Sequence, residues 1–318
     1  MKRFRIVILA LCALFIVAWG PAQAAPPGPP PGSGPSQLPP NAKPPWKQPQ
    51  LPPPDTYVAL GDSFVAGPLI PVQDTGPTAG CLRSSNNYPN MVAPQTGLPI
   101  FKDVSCSGAE TEDMTQEQGV SPGPNPPQFD ALGVTTGLVT LGIGGNDIGF
   151  SDIATTCGEA FAQGQNCKDT YAPPGGPDQL RDAIDATGPK VDAVLDGIRQ
   201  RAPQARIVVT NYLPIFPEGP DPITGIEGCP PSMPISQEDV PYLRGIQKYL
   251  NQMLADQAAA NGAGLVDAYT AGIGHDACQL PGIRWVEPAI FIPLAAPVHP
   301  NLQGMQAVAN EVVAAINN

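Results

Sequence analysis

Histidine is almost absent from this chain: His275 and His299 are the only two in 318 residues. Any imidazole chemistry therefore falls on one of two positions. Basic residues are scarce too, with 16 Lys and Arg against 28 Asp and Glu, a net charge of −12. An anionic protein gains no counterion release from a phosphate backbone, so nucleic acid is not expected as a partner. Anionic membrane surfaces are disfavoured by the same charge. No C-x-x-C or H-E-x-x-H spacing occurs, which leaves a zinc site nothing to build on. The absence of G-K-[ST] excludes a P-loop. The run Gly142-Ile143-Gly144-Gly145-Asn146-Asp147 approaches a dinucleotide fingerprint. It puts a carboxylate where that fingerprint needs its last glycine, and the carboxylate would repel a pyrophosphate.

What is present begins with an N-terminal signal. Lys2, Arg3 and Arg5 precede an apolar run of 14 residues, Ile6 to Trp19, and Ala22-Gln23-Ala24 follows. This is the pattern of a cleaved secretory peptide over 1–24, and the run is too short to span a bilayer. Its removal takes the basic count from 16 to 13 against 28 acids, so the mature net charge is −15. Residues 25–54 hold 14 of the 43 prolines and little that could form a core. They read as an extended proline-rich linker or tail.

Apart from Cys12 in the signal, six cysteines remain: Cys81, Cys106, Cys157, Cys167, Cys229 and Cys278. An even count behind a signal peptide implies an oxidising compartment and disulfides. Spacing alone leaves fifteen pairings open.

Residues 55–318 are enough for one large domain. Short β-rich runs occur at Tyr57–Leu60, Ile100–Val104, Leu138–Ile143, Arg206–Thr210 and Gly264–Asp267. Helical patterns occupy Asp178–Arg201, Ser236–Asn261 and Asn301–Ile316; in the last, Leu302, Met305, Ala309, Val312 and Ile316 make one apolar face. Alternating strands and helices, with strands apolar on both sides, argue for an α/β fold whose parallel sheet is covered on both faces. Ligands in such sheets sit beyond the carboxyl ends of the strands.

Three of those ends carry candidate chemistry. Gly61-Asp62-Ser63 puts a hydroxyl on a tight turn after the first strand. Ser105-Cys106-Ser107-Gly108-Ala109 follows the second, and Gly108 lets a backbone N–H approach a ligand. After the third, Asn146 offers an amide donor. His299, in Val298-His299-Pro300-Asn301 before the last helix, lies on the same rim as Ser63. His275, beside Cys278, reads as structural, because one base suffices. A nucleophile, a base and two donors are what acyl transfer needs. A cutinase-type α/β-hydrolase would set its serine in G-x-S-x-G between strand and helix, and Ser63 does not stand in that pattern.

Together Gly61-Asp62-Ser63, Gly108, Gly144-Gly145-Asn146-Asp147 and His299-Pro300-Asn301 resemble the four blocks of the SGNH hydrolases, also called GDSL esterases and lipases. The run Gly274-His275-Asp276-Ala277-Cys278, Arg284-Trp285-Val286 and the six cysteines resemble the secreted actinobacterial branch. The resemblance implies a three-layer, flavodoxin-like α/β/α sandwich with a five-stranded parallel sheet and no cofactor. It implies hydrolysis of carboxylic esters, with Ser63 the nucleophile and His299 the base. The oxyanion hole would be the N–H groups of Ser63 and Gly108 with the Asn146 amide. It also implies the pairs Cys81–Cys106, Cys157–Cys167 and Cys229–Cys278.

One departure matters. Much of that family carries an acid three residues before the histidine, where this sequence has Ala296. A neutral carbonyl can hold Nδ1–H in its place, and the backbone C=O of Ala296 is the expected acceptor. The rival is a distant acid, Asp276 or Glu287, folding back to complete a triad. The expected protein is a secreted, monomeric lipase or esterase acting on a small-molecule or lipid ester, with no metal and no stable membrane span. A polysaccharide acetylesterase on the same fold is the alternative, and segments 148–177 and 213–235, read as loops, decide between them. A non-catalytic wall-binding module would have lost one of the four site residues, and none is lost.

Overall fold

The runs Thr56–Gly61, Thr136–Gly142 and Arg206–Thr210 are rich in β-branched and aliphatic residues and end in glycine or threonine. The computed structural model describes residues 51–290 and 295–318. The signal expected over 1–24 and most of the linker expected over 25–54 lie outside them. The strands are β1 (Thr56–Gly61), β2 (Ile100–Asp103), β3 (Thr136–Gly142), β4 (Arg206–Thr210) and β5 (Gly264–Val266). All pair in parallel, in the order β2-β1-β3-β4-β5. Tyr57, Val58, Ala59 and Leu60 are fully buried in β1, as expected of a strand covered on both faces.

Eight α-helices occur among the described residues. They are α1 (Ser63–Ala66), α2 (Tyr88–Val92), α3 (Phe150–Ala162), α4 (Lys168–Tyr171), α5 (Gln179–Arg201), α6 (Asp239–Ala260), α7 (Ala268–Ala271) and α8 (Leu302–Asn317). Helix α5 lies against α6, while α8 lies against α2. The sheet between these pairs completes a three-layer α/β/α sandwich. None of the described helices is long and apolar enough to cross a membrane.

The helix starts follow from side-group capping. Asp178 accepts from the Arg181 N–H at the head of α5, and Asn301 accepts from Gln303 and Gly304 at the head of α8. The buried face of α8 is Met305, Val308, Ala309 and Val312, with Leu302 exposed where the periodicity put it inside. A second difference is larger. Segment 148–177 is not a loop, because α3 runs through it with Ile153, Cys157 and Ala160 buried. Those positions keep helical spacing, but threonine and glycine between them mask the pattern.

From β1 the backbone runs out to β2 and then crosses back to β3 on the other side of β1. The sheet therefore has its switch point between β1 and β3, where ligands of open α/β sheets bind. Gly61 and Gly142 face each other in register at the carboxyl ends of those two strands. The disulfides are Cys81–Cys106, Cys157–Cys167 and Cys229–Cys278, the set that the resemblance implied.

Candidate active site

The turn after β1 requires glycine. Gly61 has φ +147°, and a Cβ there would lie 2.4 Å from the Gly142 carbonyl oxygen. The buried Gln128 amide clasps this residue, accepting from the Gly61 N–H at 2.8 Å and donating to its C=O at 2.9 Å. Asp62 then caps α1, with Oδ1 accepting from the Phe64 N–H at 2.8 Å. Its Oδ2 accepts from the Tyr212 hydroxyl at 2.6 Å, and that hydroxyl accepts from the Gly145 N–H at 2.7 Å. Burial pushes the Asp62 carboxyl up to about 7, against the lowering effect of the Tyr212 bond. Ser63 opens α1 and lines a cleft.

His299 reaches it from the far end of the sequence. Nε2 lies 2.7 Å from Ser63 Oγ, and Nδ1 lies 2.7 Å from the Pro297 carbonyl oxygen. A carbonyl only accepts, so Nδ1 carries the proton and Nε2 presents its lone pair to the serine hydroxyl. The acceptor is Pro297, which corrects the expectation of Ala296. The Ala296 carbonyl is taken by the His299 backbone N–H at 3.2 Å. Val298, with φ +60°, turns the next carbonyl onto the ring instead. That conformation costs a β-branched residue about 1–2 kcal/mol. Neither suspected acid reaches the imidazole. Asp276 binds the Cys278 N–H and the Gln279 amide, and Glu287 binds Arg284 and Asn301. Burial, partly offset by the Pro297 bond, holds His299 below its ordinary 6.5. That direction favours the neutral ring over the imidazolium.

Ser63 and Asn146 line one cleft, and Gly108 was the third expected donor. Gly108 sits at φ +81°, a conformation that favours glycine, and the Cys81–Cys106 bridge lies just before it. Among the described residues, no acceptor takes the backbone N–H of Ser63 or of Gly108. The Asn146 amide donates one N–H to the Ala109 carbonyl at 2.9 Å, which leaves the other free. Its neighbour Asp147 is held by the Thr111 N–H and hydroxyl and by Lys190. These bonds tie the segments after β2 and β3 together.

The model of the GDSL-like lipase/acylhydrolase family matches residues 59–307. The chain belongs to that family. It is 41% identical to Lipase 2 of Streptomyces coelicolor over 266 residues, which cover 81% of this chain and 84% of that one. Among solved structures it is similar to phospholipase A1 from Streptomyces albidoflavus NA297, with TM-score 0.66 and 27% identity over 83% of this chain and 98% of the other. The extracellular lipase from Streptomyces rimosus gives TM-score 0.65 and 29% identity over 82% and 99%. This member of the family is a carboxylic ester hydrolase.

Beside Ser63 the hydrolase carries a cavity of about 120 Å³. Ser63 and Asn146 line it, and its exposed surface is almost wholly apolar. Ile153 and Cys157 of α3 form one side, and Leu243, Ile246 and Leu250 of α6 form another. Segment 213–235 adds Phe216 and Met233.

Tyr212, Gln128 and Pro297 were invisible as site residues, since each acts through a tertiary contact with no local motif. One G-x-S-x-G spacing does occur, at Gly119-Val120-Ser121-Pro122-Gly123. It lies in an irregular segment, with Ser121 exposed and neither strand before it nor helix after it, so it forms no nucleophile elbow. His275 stacks on Trp285 at 3.9 Å with an angle of 4°, and its Nδ1 lies 2.5 Å from the Ile283 carbonyl oxygen. Those are contacts of a loop brace.

Proposed function

We propose that this protein is a secreted serine lipase or esterase that cleaves acyl esters through a Ser63–His299 pair. His299 Nε2 takes the proton as Ser63 Oγ attacks the ester carbonyl, and the Pro297 carbonyl holds the resulting imidazolium by Nδ1–H. The oxyanion is met by the N–H groups of Ser63 and Gly108 and by Asn146 Nδ2. His299 then returns the proton to the departing alcohol, and a water repeats the sequence on the acyl-enzyme. The observation that carries this reading is the 2.7 Å contact between His299 Nε2 and Ser63 Oγ at the edge of an apolar cavity.

That cavity favours acyl groups longer than acetyl, because an acetyl group would leave its apolar wall uncovered. Export rests on the N-terminal signal pattern and the three disulfides. A similar protein from Streptomyces rimosus is described as extracellular. Residues 1–24 would be removed and residues 25–54 would precede the catalytic domain, residues 55–318. The test is a p-nitrophenyl ester series from acetyl to palmitoyl, run on the wild type and on Ser63→Ala. The expected result is a kcat/KM maximum beyond acetyl and no turnover by the variant. Turnover confined to acetyl would favour a polysaccharide acetylesterase, and turnover by Ser63→Ala would remove the serine mechanism.

A further inference from the structure

Val298 is held in a conformation that a β-branched residue disfavours, and the structure shows what holds it. Residues 285–287 run antiparallel to 298–301, with an isolated bridge between Val286 and Pro300. Glu287 grips the turn twice through its backbone. Its N–H donates to the His299 carbonyl at 2.9 Å, and its C=O accepts from the Val298 N–H at 3.0 Å. The Glu287 carboxylate, 1% exposed, fixes that segment from behind. Oε2 pairs with Arg284 Nη2 at 2.6 Å, and Oε1 accepts from Asn301 Nδ2 at 2.9 Å. Asn301 in turn donates to the Arg284 carbonyl and caps α8. One acidic residue thus ties together both neighbours of the histidine turn and the helix that follows it.

From this we infer that Glu287 is a positioning residue for the base: its buried pairs with Arg284 and Asn301 keep Val298 left-handed and so keep the Pro297 carbonyl on His299 Nδ1. The acid missing at position 296 is replaced by a neutral acceptor, and a carboxylate that does not touch the imidazole supplies the rigidity. A flexible turn would let the ring exchange tautomers, and an Nε2 that carries the proton cannot accept from Ser63. A misplacement of about 1 Å costs up to about a hundredfold in rate. The inference rests on the Ser63–His299 reading above.

Glu287→Gln keeps the shape of the residue and an acceptor for Asn301, while removing the charge that Arg284 faces. Its kcat on p-nitrophenyl esters should fall about tenfold or more, with KM unchanged within about twofold. The second readout is spectroscopic. With only two histidines in the sequence, ¹⁵N-histidine spectra contain two imidazoles, and His299 is assigned by its loss in His299→Gln. The wild type should show a neutral ring protonated on Nδ1, and Glu287→Gln a mixture of tautomers. Glycine adopts φ near +60° without penalty, so adding Val298→Gly to Glu287→Gln should restore most of the lost kcat. If Glu287→Gln does not fold, the comparison passes to Arg284→Met, which removes the same ion pair from the other side. A folded Glu287→Gln with wild-type kcat and an unchanged His299 spectrum would overturn the inference, as would a kcat loss that Val298→Gly leaves untouched. Ser63→Ala is run alongside. Its retention of activity would remove the underlying mechanism, whereas a Ser63-dependent enzyme with an unmoved imidazole removes only the brace.

Discussion

The Tyr212 hydroxyl donates to Asp62 Oδ2 across 2.6 Å while accepting from the Gly145 N–H. This buried bond joins the turn that carries Ser63 to the turn that carries Asn146. Burial raises the Asp62 carboxyl from its ordinary 3.8 to about 7, and the sign of the consequence follows. Between those values the folded protein keeps a proton that the unfolded state has released. The associated stability is complete below about pH 4 and is lost as pH rises through about 7. Urea unfolding of the wild type and Asp62→Asn across this range should show the wild type losing stability relative to the variant. Parallel curves would place the proton elsewhere.

His299 titrates in the opposite sense. Its folded value lies below 6.5 because burial disfavours the imidazolium, and the acid limb of kcat/KM reports the free enzyme's base. That limb should have its midpoint below pH 6.5, with full activity at neutrality. A midpoint above 6.5 would indicate a carboxylate partner of the kind the structure lacks.

Asn146 has one N–H on the Ala109 carbonyl and one to spare. If the spare donor meets the oxyanion, Asn146→Ala should lose about 10²–10³ in kcat with little change in KM. A loss under about threefold would assign the amide to the loop alone.

The Cys81–Cys106 bridge sits just before Gly108, and the Ser107 N–H donates to the Cys81 carbonyl at 3.0 Å. Replacing both cysteines with alanine should lower stability by about 2–4 kcal/mol and reduce kcat, as Gly108 loses its fixed approach. Calorimetry together with ester assays measures both. Unchanged activity in a destabilised variant would separate the bridge from the oxyanion donors.

The legible features were those that local chemistry dictates. Strands β1, β3 and β4 are largely apolar runs, and the long helices α5, α6 and α8 carry one-sided periodicity, so each was visible within a few residues. Ser63, Gly108, Asn146 and His299 stand in short blocks after strands or before a helix, and the fold brings Ser63 and His299 together. Helix α3 was hidden by its two threonines and its glycine. Pro297 was missed in favour of Ala296 because the choice depends on one dihedral angle at Val298, which a residue of that type rarely adopts. Tyr212 and Gln128 act over more than 60 residues of separation, and sequence periodicity carries no trace of such pairs.

The most direct test is covalent. A serine-directed organophosphate requires an activated hydroxyl beside an oxyanion site, so the wild type should be inactivated with one equivalent of label. Peptide mapping should place that label on Ser63, and His299→Gln should label far more slowly. A label on another serine, such as Ser121, or full activity after Ser63 is modified, would contradict the account.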